Sequence, residues 1–214
     1  MKTSELIEAL AVTDSAPVQP AAPAARLVPA LMAGVVVSTV VLGLWLGFQP
    51  LALAARTSWF WMKLGYGAAA ALAGLAIAVP LSRPGGRSRV IGFVIAGTAV
   101  AAIWMMAIHA AMRADDPGQA GLWLGHTWKV CPLRIFTLAA PIWLAMVVAM
   151  RRLAPTRLAM AGAATGLLAG GLSVIVYGFY CQETAAPFVA VWYSLGIAAS
   201  SGVGWLLGPR LLRW

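Results

Sequence analysis

The sequence predicts an all-α protein, an integral membrane bundle of six transmembrane helices with both termini cytoplasmic. Three observations lead there. Of the 214 residues, 62% are hydrophobic and only 10% charged, whereas a soluble domain is about 25% charged. Six apolar runs follow one another: Leu27–Phe48, Trp59–Pro80, Val90–Ala111, Pro132–Met150, Arg157–Tyr180 and Pro187–Gly208. Each is near the ~20 residues that cross a ~30 Å hydrocarbon core as helix, the form in which a backbone satisfies itself in lipid. Positive charge alternates from loop to loop. Lys2, Arg26, Arg83, Arg87, Arg89, Arg151, Arg152, Arg157, Arg210 and Arg213 flank one side, against Arg56, Lys63, Arg113, Lys129 and Arg134 on the other. The positive-inside rule places the richer side, and with it both termini, in the cytoplasm. The formal charge of +9 is then a matter of topology, and no nucleic-acid partner is expected. Trp45, Phe48, Trp59, Trp61, Trp123, Trp128, Tyr177, Tyr180 and Trp192 fall near the outer helix ends, as an interfacial belt does.

Three parts are expected. Residues 1–26 form a cytoplasmic tail, 27–208 the membrane domain, and 209–214 a cytoplasmic C-terminal end. Ser4–Val12 suits a short helix, with Ser4 as N-cap and Glu5 at the positive helix end. Leu6, Ile7 and Leu10 share one face of it. About nine residues do not hold a helix alone, so the segment either frays or folds on a partner. Pro17–Pro23 reads as an extended linker. The acidic residues ahead of the first span do not suit a cleavable leader, so that span is expected to stay as an anchor.

The inner loops around Arg83–Arg87 and Arg151–Arg157 are too short for a catalytic domain. The longest outer loop, Met112–Trp128, carries Asp115, Asp116, Pro117 and Gly118. Pro141 is a candidate kink in the fourth span. Gly162, Gly166 and Gly170 in the fifth span, and Gly196, Ser200, Gly204 and Gly208 in the sixth, recur every four residues. Such stripes let helices approach closely in lipid. Packing within the chain is expected, with a homodimer seam as the alternative.

Chemistry concentrates in two cysteines. Cys131 opens the fourth span and Cys181 follows the fifth, so both lie at similar depth at the outer end of one hairpin. That is necessary for a disulfide but does not establish one. Cys131 precedes Pro132 at a helix start, with Lys129 and Arg134 close in sequence. These features favour a thiolate there, with Cys181 as its resolving partner. On an oxidising side the pair rests as a disulfide or as thiols. His126 and His109 are candidate metal or sensor support beside the thiols. Lys63 and Arg134 are expected to snorkel outward. No cofactor is expected. The absence of charge at mid-span weighs against a transporter, and the absence of a CxxC against a thiol oxidoreductase, though both classes stay open.

The stretches MKTSELIEALA, LGHTWKVCPLRI, RRLAPTR, VYGFYCQET, FVAVWYSLGI and LLGPRLLRW, taken together and in this order, resemble the NrsF family, the negative regulators of sigma F. The resemblance runs over essentially the whole chain. It implies a six-span inner-membrane anti-sigma factor that holds an extracytoplasmic-function sigma factor at the cytoplasmic face. It also implies that Cys131 and Cys181 match family cysteines tied to heavy-metal or oxidative stress. The tail, with Ser4, Glu5, Leu6, Ile7 and Leu10, would be part of the sigma-binding region.

Overall fold

A computed structural model describes residues 3–5, 8, 23–83, 86, 90–114 and 121–213. Among them there is no strand. Six helices are long and apolar enough to cross a membrane: α1 Pro23–Trp45, α2 Ser58–Leu81, α3 Val90–Met112, α4 Cys131–Arg151, α5 Leu158–Gly178 and α6 Ala186–Leu211. The six-span expectation holds, with ends shifted by a few residues. α1 stops at Trp45, short of Phe48, because Gly47 at φ +80° turns the chain, a conformation that suits glycine. α4 runs as one helix through Pro141. α6 contains a π-helical stretch, Val189–Tyr193.

α5 sits at the centre. In its most apolar window 67% of the residues are buried, against 17% in α3 and 22% in α1. It packs on α6, α2, α4 and α1, while α3 lies outside, against α2 and the start of α6. The core has two halves. One holds Leu27, Leu81, Met150 and Leu212 at one end of the bundle. The other holds Leu42, Cys131, Ile135, Tyr177, Cys181, Phe188 and Tyr193 at the opposite end, called here the thiol end.

Glycine sets the helix spacing. Lipid is as apolar as leucine, so helices associate by close packing rather than by escape from water. Gly162 of α5 lies against the backbone of Gly204 and Gly208. A Cβ on Gly166 would meet Ser200 O and come within 2.8 Å of Ser201 Cα; one on Gly170 would come within 3.0 Å of Ile197 Cα. Gly196 of α6 faces Ile135 and Pro132 O of α4. The other face of α5 meets α2, where a Cβ on Gly67 would lie 2.8 Å from Gly171 O. Gly34 of α1 lies against Ile142 of α4, and four residues on, Ser38 Oγ donates to Leu138 O at 2.8 Å. The small-residue stripes of α5 and α6 are therefore occupied within one chain.

Of the predicted tail, Thr3–Glu5 and Glu8 are helical and exposed. Leu6, Ile7, Leu10 and positions 17–22 of the linker lie outside the described residues, as do Arg87, Arg89, Asp115, Asp116, Pro117 and Gly118.

Gly166→Val should separate α5 from α6 and cost about 1–3 kcal/mol or more, read as a lower unfolding midpoint in detergent and less protein in membranes. Gly97→Ala, where a Cβ meets open space, should leave both unchanged or improved.

Candidate functional site

The thiol end is assembled from the start of α4, the end of α5, the start of α6 and one turn of α2. α4 begins at Cys131 with Pro132 in its first turn, where a missing N–H costs nothing. Cys131 N–H donates to Thr127 O at 2.9 Å, closing the turn that leads into the helix. Cys181 follows α5, its N–H donating to Tyr177 O at 3.0 Å. The carbonyls at the end of α5, which have no partner within their own helix, are met by Gln49. Its main-chain N–H donates to Phe179 O at 2.9 Å and its Nε2 to Gly178 O at 2.8 Å.

Both cysteines are free thiols inside one apolar cluster, Cys131 fully buried and Cys181 2% exposed. This corrects the expectation of a favoured thiolate at Cys131, because reactive cysteines sit in partly exposed, electropositive surroundings. The cations named for that role lie mainly against aromatic rings, Arg134 staying within electrostatic reach of Cys131. Lys129 Nζ lies 5.4 Å from the centroid of the Trp128 ring. The Arg134 guanidinium lies 5.3 Å from the Tyr180 ring and donates to the Tyr180 hydroxyl at 3.3 Å.

Two tyrosines enclose the thiols. Tyr177 and Tyr193 are fully buried, with ring centroids 5.9 Å apart. Their hydroxyls face both cysteines, with Arg134 also beside Tyr177, yet neither makes a hydrogen bond of good geometry. Tyr177 is thus a core residue and not part of the interfacial belt. A buried hydroxyl without a partner is uncommon and calls for a reason.

Lys63 also departs from expectation. It is 3% exposed and turned inward. Its ammonium donates to Cys181 O at 2.7 Å and Glu183 O at 2.9 Å, and these carbonyls hold the side chain that was expected to snorkel. Glu183 reaches the other way. Its Oε1 accepts from the N–H of His126 at 2.8 Å, and from the N–H and hydroxyl of Thr127 at 3.1 Å each. A cavity of about 380 Å³ opens beside this segment, lined by His126, Thr127, Tyr180, Cys181, Gln182 and Glu183.

Cys131, Cys181 and the turn bearing His126 are therefore brought together. His109 is exposed in the last turn of α3 and does not line the cavity. Among the described residues no three His, Cys, Asp or Glu side chains gather in a way that could hold a metal ion. Lys63, Glu183, Tyr177 and Tyr193 are the residues the sequence did not single out for this site. The signal for the first two was a lone lysine one turn into the second span and a carboxylate in a short loop at the same depth.

Fold and site together define a polytopic helical membrane protein with a thiol pair enclosed at one end. The chain belongs to the NrsF family, negative regulator of sigma F, whose family model matches residues 11–214. It is 38% identical over 215 residues to the probable anti-sigma-F factor NrsF of Azospira oryzae, and 38% identical over 217 residues to the anti-sigma-F factor NrsF of Caulobacter vibrioides. Each match covers 100% of both chains. Both relatives are named as regulators rather than enzymes. No solved structure matches the chain.

Tyr193→Phe removes a buried hydroxyl that makes no hydrogen bond of good geometry. It should leave the unfolding midpoint in detergent unchanged or raise it, by up to about 1–3 kcal/mol. A clear fall would show that the hydroxyl is bonded.

Proposed function

We propose that this protein is an inner-membrane anti-sigma factor. It sequesters an extracytoplasmic-function sigma factor at the cytoplasmic face and releases it when Cys131 and Cys181 meet redox or heavy-metal stress. The observation that carries this reading is the full-length match, end to end in both chains, to two relatives named anti-sigma-F factors.

The layout supports a division of labour. Input falls at the thiol end, where both cysteines share one enclosed cluster. Output falls at the opposite end, where Arg26, Arg83, Arg151, Arg152, Arg157, Arg210 and Arg213 are exposed. This is the side the positive-inside rule assigns to the cytoplasm. Arg26 also donates to Arg152 O at 2.6 Å, tying the start of α1 to the end of α4. The tail, residues 1–26, carries the sigma contact together with these loops, and 209–214 closes the same face. The occupied glycine stripes favour a bundle complete in one chain over a homodimer seam.

The chemistry at the input balances simply. Two thiols give up two protons and two electrons to an oxidant such as a peroxide as one disulfide forms, or they capture a thiophilic metal ion as thiolates. Release requires that the two sensor states differ in affinity for the sigma factor. A shift from mostly bound to mostly free needs about 5 kcal/mol of differential binding. A disulfide of good geometry contributes about 2–4 kcal/mol of this, so repacking around the thiols has to supply the rest.

Capture of the tagged full-length protein from its own membranes, beside a form lacking residues 1–25, tests the reading. A sigma factor recovered with the first form and lost with the second places the contact in the tail. Recovery with both places it on the arginine-bearing loops. Recovery with neither overturns the anti-sigma assignment. Cys131→Ser and Cys181→Ser should accumulate normally yet flatten the dose response of sigma release to stress. A double variant with a normal dose response would remove the thiols from the input.

A further inference from the structure

Lys63 and Glu183 act on one short stretch of chain. Residues 181–185 join α5 to α6 without helix of their own. Lys63, from α2, holds this stretch by its carbonyls, at Cys181 and Glu183. The Glu183 carboxylate ties it to the turn before α4, taking donors from His126 and Thr127. Thr127 also accepts the N–H of Cys131 through its own carbonyl. One residue therefore stands between the Glu183 carboxylate and the first thiol, while the second thiol belongs to the stretch that Lys63 grips. Gly125, at φ +53°, completes the fit: a Cβ there would stand 2.7 Å from Glu183 Oε2.

We propose that Lys63 and Glu183 form a latch that holds residues 181–185 closed over the thiol pair and sets how readily Cys181 is reached from the cavity beside it. This rests on the reading of the thiols as the input site. Bonds in which one partner is charged are about twice as strong as neutral ones, and they strengthen where water is scarce. Both Lys63 bonds and two of the three Glu183 bonds end on loop and turn backbone, not on helix–helix packing. Their loss frees a local segment, and proteins open in such units at a cost well below global unfolding. Lys63 and Glu183 are positioning residues here, acting on the thiols through the chain that carries them.

The test is the rate at which a sulfonated maleimide adds to Cys181 in the full-length protein in lipid nanodiscs, with Cys131→Ser leaving one thiol to report. Glu183→Ala and Lys63→Met should speed labelling by about ten- to a hundred-fold. Lys63→Arg, which keeps the charge and the donors, should stay near the parent rate. The unfolding midpoint of the helices is measured on the same samples. Labelling within two-fold of the parent in both Glu183→Ala and Lys63→Met overturns the latch. So does faster labelling that tracks a collapse of the midpoint, because global loosening would then expose the thiol. If Lys63→Met fails to accumulate, Glu183→Ala decides alone. Capture of the sigma factor is scored separately. Parent-like labelling with normal capture removes the latch and leaves the anti-sigma reading, while faster labelling without capture in the parent does the reverse.

Discussion

Close backbone approach along α5 is the constraint on which the rest of the bundle depends. In lipid a helix gains little by hiding leucine from its surroundings, so position is set where atoms can come nearest. Gly162, Gly166 and Gly170 bring α6 in on one face, and Gly171 admits α2 on another. Both approaches fix the thiol end as well. Lys63 lies one turn before Gly67 on α2, and side chains four apart share a helix face. The contact that seats Gly67 against Gly171 thus also points Lys63 at the end of α5. On α6, the packing that places Ile197 against Gly170 carries Tyr193 to Tyr177.

Several hydroxyls inside the bundle are paired, while Trp143 Nε1 is not. Thr165 and Ser200 return their hydroxyls to carbonyls of their own helices, at 3.0 Å from Ala161 O and Gly196 O. Ser201 crosses to Ala163 O at 3.0 Å and Tyr66 meets Ser194 at 2.6 Å. Against that background the bare hydroxyls of Tyr177 and Tyr193 stand out. They flank the thiols, and the π-helical stretch Val189–Tyr193 ends at the second of them. Such irregular turns recur at functional sites.

Much of the fold was legible because length and apolarity decide a membrane span without reference to neighbours. The alternating charge and the glycine stripes were equally plain. What stayed hidden was direction around each helix. In a span that is apolar on every side, hydropathy does not say which face turns inward, so Lys63 and Tyr177 read as interfacial residues when they are interior ones. The cysteines were placed at the right end by counting along the hairpin, but enclosure is a property of α2 and α6 as well, and no count along one hairpin reveals it. Glu183 is hard to read as a site residue because a loop between two spans looks like filler until its carboxylate is seen receiving N–H groups from the turn at 126–127.

The Lys63 contact also bears on how the protein is made. Its acceptor at Cys181 lies 118 residues further along the chain. At about 5–20 residues per second, the ribosome needs on the order of ten seconds to supply it. During that interval the second span must enter the membrane with an ammonium that has nothing yet to grip, and its long stem lets the charge wait among the lipid headgroups. The inward turn of Lys63 is then a late event in biogenesis, taken only once the fifth span has arrived.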